Sequence, residues 1–264
     1  MTTRDFAPVS EAQCEEFHRD GFLALEFLTS AEEVASLHDV YDRLFEPGSE
    51  VAGRDQLELA GRRDGASLLP QVLNPDAYAP ELRETEAYRN AALVARSLLG
   101  PEVVPTGMHA IRKPAHHGAE TPWHQDEAYW DPARRHRAIS IWMPLQEATE
   151  DNGCMEFQPG SHLLPVLPHR LIDPDSQGLV LTDTGAVSGA VACPLPPGGA
   201  TVHAERTLHY AGPNTTSEPR RALIMSFACP SEPLDEPRLF PWQRPERSCP
   251  AAPESTDTTS MEGS

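Results

Sequence analysis

The spacing of apolar residues changes period at Gly100-Pro101, and the change divides the chain into a helical part and a β part. Upstream, Ser10 with Gln13 and Ser30 with Glu33 each match a capping box, in which two side chains answer the free N–H groups of a first helical turn. Residues 84–99 carry Ala87, Ala91, Leu93, Val94, Ser97 and Leu98 along one side and predict another helix, stopped by the Gly-Pro pair. Phe22, Leu23, Leu25 and Phe27 predict a short strand, and residues 46–80, rich in Gly, Arg, Asp and Pro, a loop that covers something. Downstream, short segments broken by Pro and Gly occupy 103–113, 123–128, 138–145, 154–158, 189–195, 201–203, 209–211 and 222–228. Eight such strands suit a jelly roll, a mainly β fold with flanking helices. One domain is expected over 1–248, helical in about 10–99 and β in about 103–228. Residues 249–264 have almost nothing to bury and are expected to be disordered.

His124-Gln125-Asp126 falls in one of these β segments. An extended strand turns residues i and i+2 to one face, so His124 and Asp126 can reach one metal ion while Gln125 points away. With His209 as a third ligand, two histidines and a carboxylate on one side of an iron leave open positions opposite, as in non-heme Fe(II) oxygenases. Taken alone, a His-x-Asp triplet can equally be structural. His203 competes with His209 for the third place, and the spacing to Arg220 favours His209.

The turn-rich stretch 212–215 predicts a hairpin that sets His209 and Arg220 side by side. Arg220 shares a face with Ala222, Ile224 and Ser226, and Arg221 shares the other with Leu223, Met225 and Phe227. An arginine facing a barrel interior is costly without an anion beside it. A dicarboxylic acid would supply that anion by bidentate pairing; exposure, or a protein carboxylate, is the alternative.

Composition limits the partners. With 21 basic and 40 acidic residues the formal charge is -19, which argues against nucleic acid or an anionic membrane surface. Apolar runs fall far short of the ~20 residues that span a bilayer, and the first residues carry no signal pattern, so a cytoplasmic location is expected. Cys14, Cys154, Cys193, Cys229 and Cys249 are scattered without a C-x-x-C pair, which indicates neither a disulfide framework nor a thiolate zinc site. Lys113, the only lysine, reads as an ordinary exposed one. His162 reads as a loop-fixing residue, and His116 and His117 as exposed residues near an entrance.

Three blocks together resemble the phytanoyl-CoA dioxygenase family of Fe(II)- and 2-oxoglutarate-dependent oxygenases. They are Trp123-His124-Gln125-Asp126-Glu127; Asp151-Asn152-Gly153-Cys154-Met155-Glu156 leading to Pro159-Gly160-Ser161-His162; and Gly198 through His209, Asn214 and Arg220. The resemblance spans about 15–228. It implies a double-stranded β-helix, the cupin-like jelly roll, with N-terminal α-helices packed outside. It implies His124, Asp126 and His209 as iron ligands and Arg220 as partner of the distal carboxylate of 2-oxoglutarate. By the same correspondence Trp142 lines the 2-oxoglutarate pocket, His109 lines it as well, and Gln71 contacts the cosubstrate. Two positions depart from the pattern. Ala211 stands where several relatives have a hydroxyl that bonds 2-oxoglutarate, and Gly198-Gly199 replaces the usual Gly-Asp, which is expected to loosen that turn.

The activity so implied uses Fe(II), 2-oxoglutarate and dioxygen, releases succinate and carbon dioxide, and oxidises a C–H bond of a small-molecule substrate. The cofactor carries the hard chemistry and the protein positions the reactants. Related halogenases have a small residue at the carboxylate position, so Asp126 points to hydroxylation, with desaturation, epoxidation or ring formation as alternatives. A non-catalytic jelly-roll binding protein is the contrasting class, and a zinc hydrolase would lack an evident base near His209. Tyr129, Trp130 and the segments 46–80 and 163–186 are expected to shape the entrance. Arg54, Arg62, Arg63, Arg134, Arg135, Arg137 and Arg170 would there serve an anionic substrate or simply solvate the surface. A small natural product or amino-acid-like metabolite, taken by a monomer or homodimer, is the expected substrate.

Overall fold

Helix caps set the N-terminal architecture. The computed structural model describes residues 6, 7, 9–63, 65–116, 118–173 and 176–243; His117 and the tail 249–264 lie outside the described residues, as does the side chain of Arg63. Ser10 and Gln13 form the full reciprocal box at the start of α1 (Glu11–Asp20), and Gly21 ends the helix at φ 84. Any Cβ at Gly21 would lie 2.4 Å from Nδ1 of His162, so both conformation and space call for glycine. α2 (Ala31–Arg43) has only half of the expected box: the Ser30 hydroxyl accepts from the Glu33 N–H, but the Glu33 carboxylate turns elsewhere. It accepts from Thr29 Oγ1 at 2.5 Å and from the backbone N–H groups of Glu86 and Ala87 at 2.7 and 2.9 Å. Those are orphan donors of the first turn of α3 (Glu86–Leu99), where a carboxylate also suits the positive end of the helix dipole.

The helices cover one face of a seven-stranded antiparallel sheet. Its strands are β1 (Phe22–Leu25), β2 (Gln56–Glu58), β3 (Pro70–Leu73), β4 (Val104–Lys113), β6 (Ala138–Pro144), β9 (Ala200–Ala204) and β11 (Arg220–Ala228), in the spatial order β1-β9-β6-β11-β4-β3-β2. A four-stranded sheet of β5 (Thr121–His124), β7 (Met155–Phe157), β8 (Val191–Cys193) and β10 (His209–Ala211) runs in the order β8-β7-β10-β5. Period-two alternation on the large sheet separates two cores. Leu223, Met225 and Phe227 of β11, with Ile139, Ile141 and Met143 of β6, pack with the helices. The intervening Ala222 and Trp142 join Phe157 and Ala211 of the small sheet in the core between the sheets. The architecture is the expected jelly roll, mainly β with flanking helices. No helix among the described residues is long and apolar enough to cross a membrane.

Further expectations need correction. His209 and Arg220 do not belong to one hairpin: β10 pairs with β7 and β5 in the small sheet, whereas β11 pairs with β4 and β6 in the large one. The 212–215 turn therefore carries the chain from sheet to sheet. Residues 46–80 are not only a loop, because β2 and β3 extend the large sheet and pair through Leu57 and Gln71. The strand expected over 123–128 stops at His124 and gives way to a 3₁₀ turn, Asp126–Tyr129. Lys113 is fully buried, and its Nζ donates to the carbonyls of Ala119, Ala211 and Gly212 at 2.8, 2.9 and 2.6 Å. Three acceptors match the three protons of an ammonium, while burial, reinforced by Arg220, pulls its pKa well below the usual lysine range.

Candidate metal centre

His124 ends β5 and His209 opens β10, and the two are partners across that ladder with ring centres 4.1 Å apart. Asp126 reaches them because Gln125 keeps an extended backbone, φ -123 and ψ 134, before the 3₁₀ turn begins. The i, i+2 relation thus holds although the strand has ended. Gln125 faces away from the cluster, its Nε2 donating to the carbonyls of Pro165 and Arg206 and its Oε1 accepting from the Leu167 N–H. Its backbone N–H donates to Nε2 of His169, tying a further loop to the triplet.

The imidazoles are oriented by carbonyls. Nδ1 of His124 donates to Pro122 O at 2.7 Å and Nδ1 of His209 to Thr207 O at 2.9 Å, the tautomer those acceptors require. Each Nε2 then presents a lone pair toward Oδ1 of Asp126, at 3.9 Å from His124 and 3.6 Å from His209. One donor atom from each of the three residues lies within 4.8 Å of the others, a group able to hold a metal ion. Burial lowers the pKa of both histidines. For Asp126 burial opposes ionisation, but His209, His203 and His124 outweigh it and hold the carboxyl well below the usual carboxylate range. Neutral imidazoles around an ionised carboxylate are a donor set that a divalent cation completes.

Arg220 lies on the wall of the same cavity, about 490 Å³ in volume. It is 2% exposed, and among the described residues nothing accepts from its Nε or Nη1. Burial brings its pKa down to about 10, which leaves it charged near neutral pH. The Trp142 ring lies beside the guanidinium, 5.2 Å from centre to Cζ. An anion is the missing partner.

The structure brings the remaining candidates to this cavity as well. Gln71 and His109 line it and join through Nε2 and Nδ1 at 2.8 Å, and burial lowers the His109 pKa. Ala211 lines it without a hydroxyl, but Thr121, its partner across the ladder, supplies one to the lining. Tyr129, Trp130, Leu57 and Leu179 line it too, so residues from both 46–80 and 163–186 contribute to its wall. The latter segment also holds an unforeseen two-stranded ladder of His169–Leu171 and Leu179–Leu181. The Gly198 turn is not loose: its carbonyl accepts from the N–H groups of Leu28 and Thr29, and a Cβ would come within 2.2 Å of Thr29 O. His162 fixes a loop, its Nε2 lying 3.2 Å from His18 O, while exposed His116 stays outside the cavity lining.

Two groups beside Asp126 have roles that the sequence does not assign: nothing there singles out Ser140, and His203 figures only as a rival third ligand. Ser140, two residues before Trp142 on β6, donates its hydroxyl to Oδ2 of Asp126 at 2.8 Å. Alternation alone would have put it on the cavity face with Trp142. His203 sits within β9 rather than at its end, 3.3 Å from the same oxygen through Nε2, and is not in the ligand group. The C-terminal segment is a third omission: Trp242 and Gln243 donate to the carbonyl of Ala128, bracing the turn behind Asp126.

Comparison with known proteins agrees with the geometry. The model of the phytanoyl-CoA dioxygenase family matches residues 17–222. The ectoine dioxygenase of Sphingopyxis alaskensis is 29% identical over 93% of this chain and 86% of its own length. The crystal structure of EvdO2 from Micromonospora carbonacea var. aurantiaca is 43% identical, with a TM-score of 0.78 over 90% of this chain and 98% of that one. EvdO2 has also been solved in complex with 2-oxoglutarate, and EctD from S. alaskensis with 2-oxoglutarate and 5-hydroxyectoine, the latter at 25% identity and a TM-score of 0.68 over 92% of this chain and 86% of that one.

Proposed function

This chain belongs to the phytanoyl-CoA dioxygenase family and is a 2-oxoglutarate-dependent non-heme iron dioxygenase, and from that premise we propose that it hydroxylates an uncharged small molecule. In this reading His124, Asp126 and His209 hold Fe(II), and residues 1–248 act as one catalytic domain. The observation that carries it is Arg220, a buried guanidinium with two nitrogens that have no partner among the described residues, on the wall of the cavity that holds the His/Asp/His cluster.

When bound, iron with 2-oxoglutarate and dioxygen supplies the oxidising power that yields succinate, carbon dioxide and a hydroxylated substrate. The chain's own part is placement. Arg220 takes the distal carboxylate of 2-oxoglutarate by a bidentate pair, and Trp142 shields that pair from water. Gln71, His109 and Thr121 offer uncharged hydrogen-bonding groups to the cosubstrate. With iron bound, the carboxylate of Asp126 would be a ligand where related halogenases have a small residue, which supports oxygen transfer over halogen transfer.

Substrate charge follows from the lining. Histidines aside, Asp126 and Arg220 are its charged side chains among the described residues, and metal and cosubstrate engage both. Leu57, Leu59, Leu69, Leu73, Ile172 and Leu179 line the remainder with Trp130 and His136, whose rings meet at 5.1 Å. None of Arg54, Arg62, Arg134, Arg135, Arg137 and Arg170 lines it, which speaks against an acyl-thioester phosphate or another anion as the buried group. The test is a panel of neutral natural products incubated with protein, Fe(II), ascorbate and 2-oxoglutarate, scored for succinate and for a mass shift of the substrate. Gain of one oxygen supports hydroxylation on a substrate without a C=C bond, and on an alkene it leaves epoxidation as the alternative. Loss of two hydrogens replaces it with desaturation or ring formation.

A further inference from the structure

We infer that Ser140 and His203 are positioning residues that hold the Asp126 carboxylate so that only Oδ1 faces the metal, an inference that rests on the iron-ligand reading above. The two carboxylate oxygens have separate partners. Oδ1 looks toward Nε2 of His124 and His209, whereas Oδ2 accepts from the Ser140 hydroxyl at 2.8 Å and lies 3.3 Å from Nε2 of His203. Ser140 and His203 are direct partners across the β6–β9 ladder, in the third and second strands of the large sheet from its β1 edge. Asp126 itself begins a 3₁₀ turn, where regular pairing does not fix a side chain. A rigid pair of strands therefore sets the orientation of a carboxylate carried by a turn.

His203 is not there for packing alone. Its ring lies 5.4 Å from that of Phe157 and 4.3 Å from that of His209, fully enclosed, and among the described residues its Nδ1 has no partner. Phenylalanine would fill such a place without the penalty of about 1–3 kcal/mol for a buried, unpaired polar atom. What the imidazole adds is its one polar contact, the N–H toward Oδ2. That contact has a coordination consequence. A carboxylate free to turn can offer both oxygens to a cation, and the second would take a position that cosubstrate or dioxygen needs; with Oδ2 occupied, the chain contributes three donors and leaves the rest open.

The experiment compares wild type, Ser140→Ala, His203→Phe, His203→Gln and the double variant Ser140→Ala/His203→Phe. Fe(II) affinity is measured anaerobically by competition with a chelator, the visible band with Fe(II) and 2-oxoglutarate is recorded, and melting temperature is followed separately. His203→Phe should change Fe(II) affinity by about 10-fold and shift the band, and His203→Gln, which restores an N–H donor, should recover most of both. The double variant should change it by less than the product of the single changes, since the two groups hold one oxygen. Wild-type affinity and band in His203→Phe, or no recovery in His203→Gln, would overturn the inference even if stability falls. Should His203→Phe fail to fold, an unaltered Fe(II) affinity in Ser140→Ala overturns it. Wild-type protein that binds no Fe(II) instead defeats the ligand reading on which the inference rests.

Discussion

The guanidinium of Arg220 lies 5.2 Å from the ring centre of Trp142, and the strands that carry them are neighbours in the large sheet. Among the described residues nothing accepts from two of its nitrogens, so Arg220 has charge to offer an anion. Arg220→Gln should raise the Kd for 2-oxoglutarate by about 100-fold, the loss of roughly 3 kcal/mol of charge-assisted bonding. Iron affinity should change little. Unaltered 2-oxoglutarate binding in an anaerobic titration would contradict the assignment.

Metal removal separates the cluster from the anion site. His209→Ala, or chelation of the wild type, should abolish succinate formation and the visible band. Fe(II) should restore chelated wild type but not the variant. Restoration of the variant to wild-type activity would mean that another residue, His203 foremost, serves as third ligand.

Lys113 holds the crossing between the sheets. Lys113→Met keeps much of the volume but leaves the carbonyls of Ala119, Ala211 and Gly212 without their buried donor. A loss of about 3 kcal/mol, or a fall in Tm of roughly 10 °C, is expected by calorimetry. Because Ala211 lies in the His209 strand, Fe(II) affinity should fall too. A variant as stable as wild type would show the carbonyls to be satisfied in another way.

The Asp42–Arg221 pair ties α2 to the outer face of β11 through two bonds of 2.7 Å. Hydrogen bonding to Arg221, against an opposing effect of burial, lowers the Asp42 pKa in the folded protein. A depressed folded pKa contributes stability above the unfolded value of about 3.9 and loses it as pH falls through the lower folded value. Since Asp42 is partly solvated, Arg221→Gln should cost only about 0.5–1 kcal/mol near neutrality, and the gap from wild type should close in strong acid. Urea unfolding of both proteins across that range checks the sign.

Local order could be read from the sequence, and long-range partnership could not. The Ser10 cap, the alternation of Arg220 and Arg221, and the shared side of His124 and Asp126 follow from rules that act over a few residues. Turn residues between His209 and Arg220 specify that the chain reverses but not which sheet receives the returning strand, so a crossover looks like a hairpin. Glu33 matched its own helix's box, yet its carboxylate acts 53 and 54 residues away at α3. Lys113 looked exposed because lysine usually is; two of its acceptors lie 98 and 99 positions downstream. Ser140 shows the same limit, since its face was legible and its partner on another turn was not.

The enclosure of Lys113 also gives the folded molecule an unusual chemical surface. The sequence contains one lysine, and its amine is sealed inside, so an acylating reagent finds no side-chain amine to modify while the protein is closed. Modification at that position must wait for the surrounding sheets to come apart. Its rate, read from a single peptide by mass spectrometry, would serve as a clock for opening of the interior, and any ligand that steadies the jelly roll should slow it.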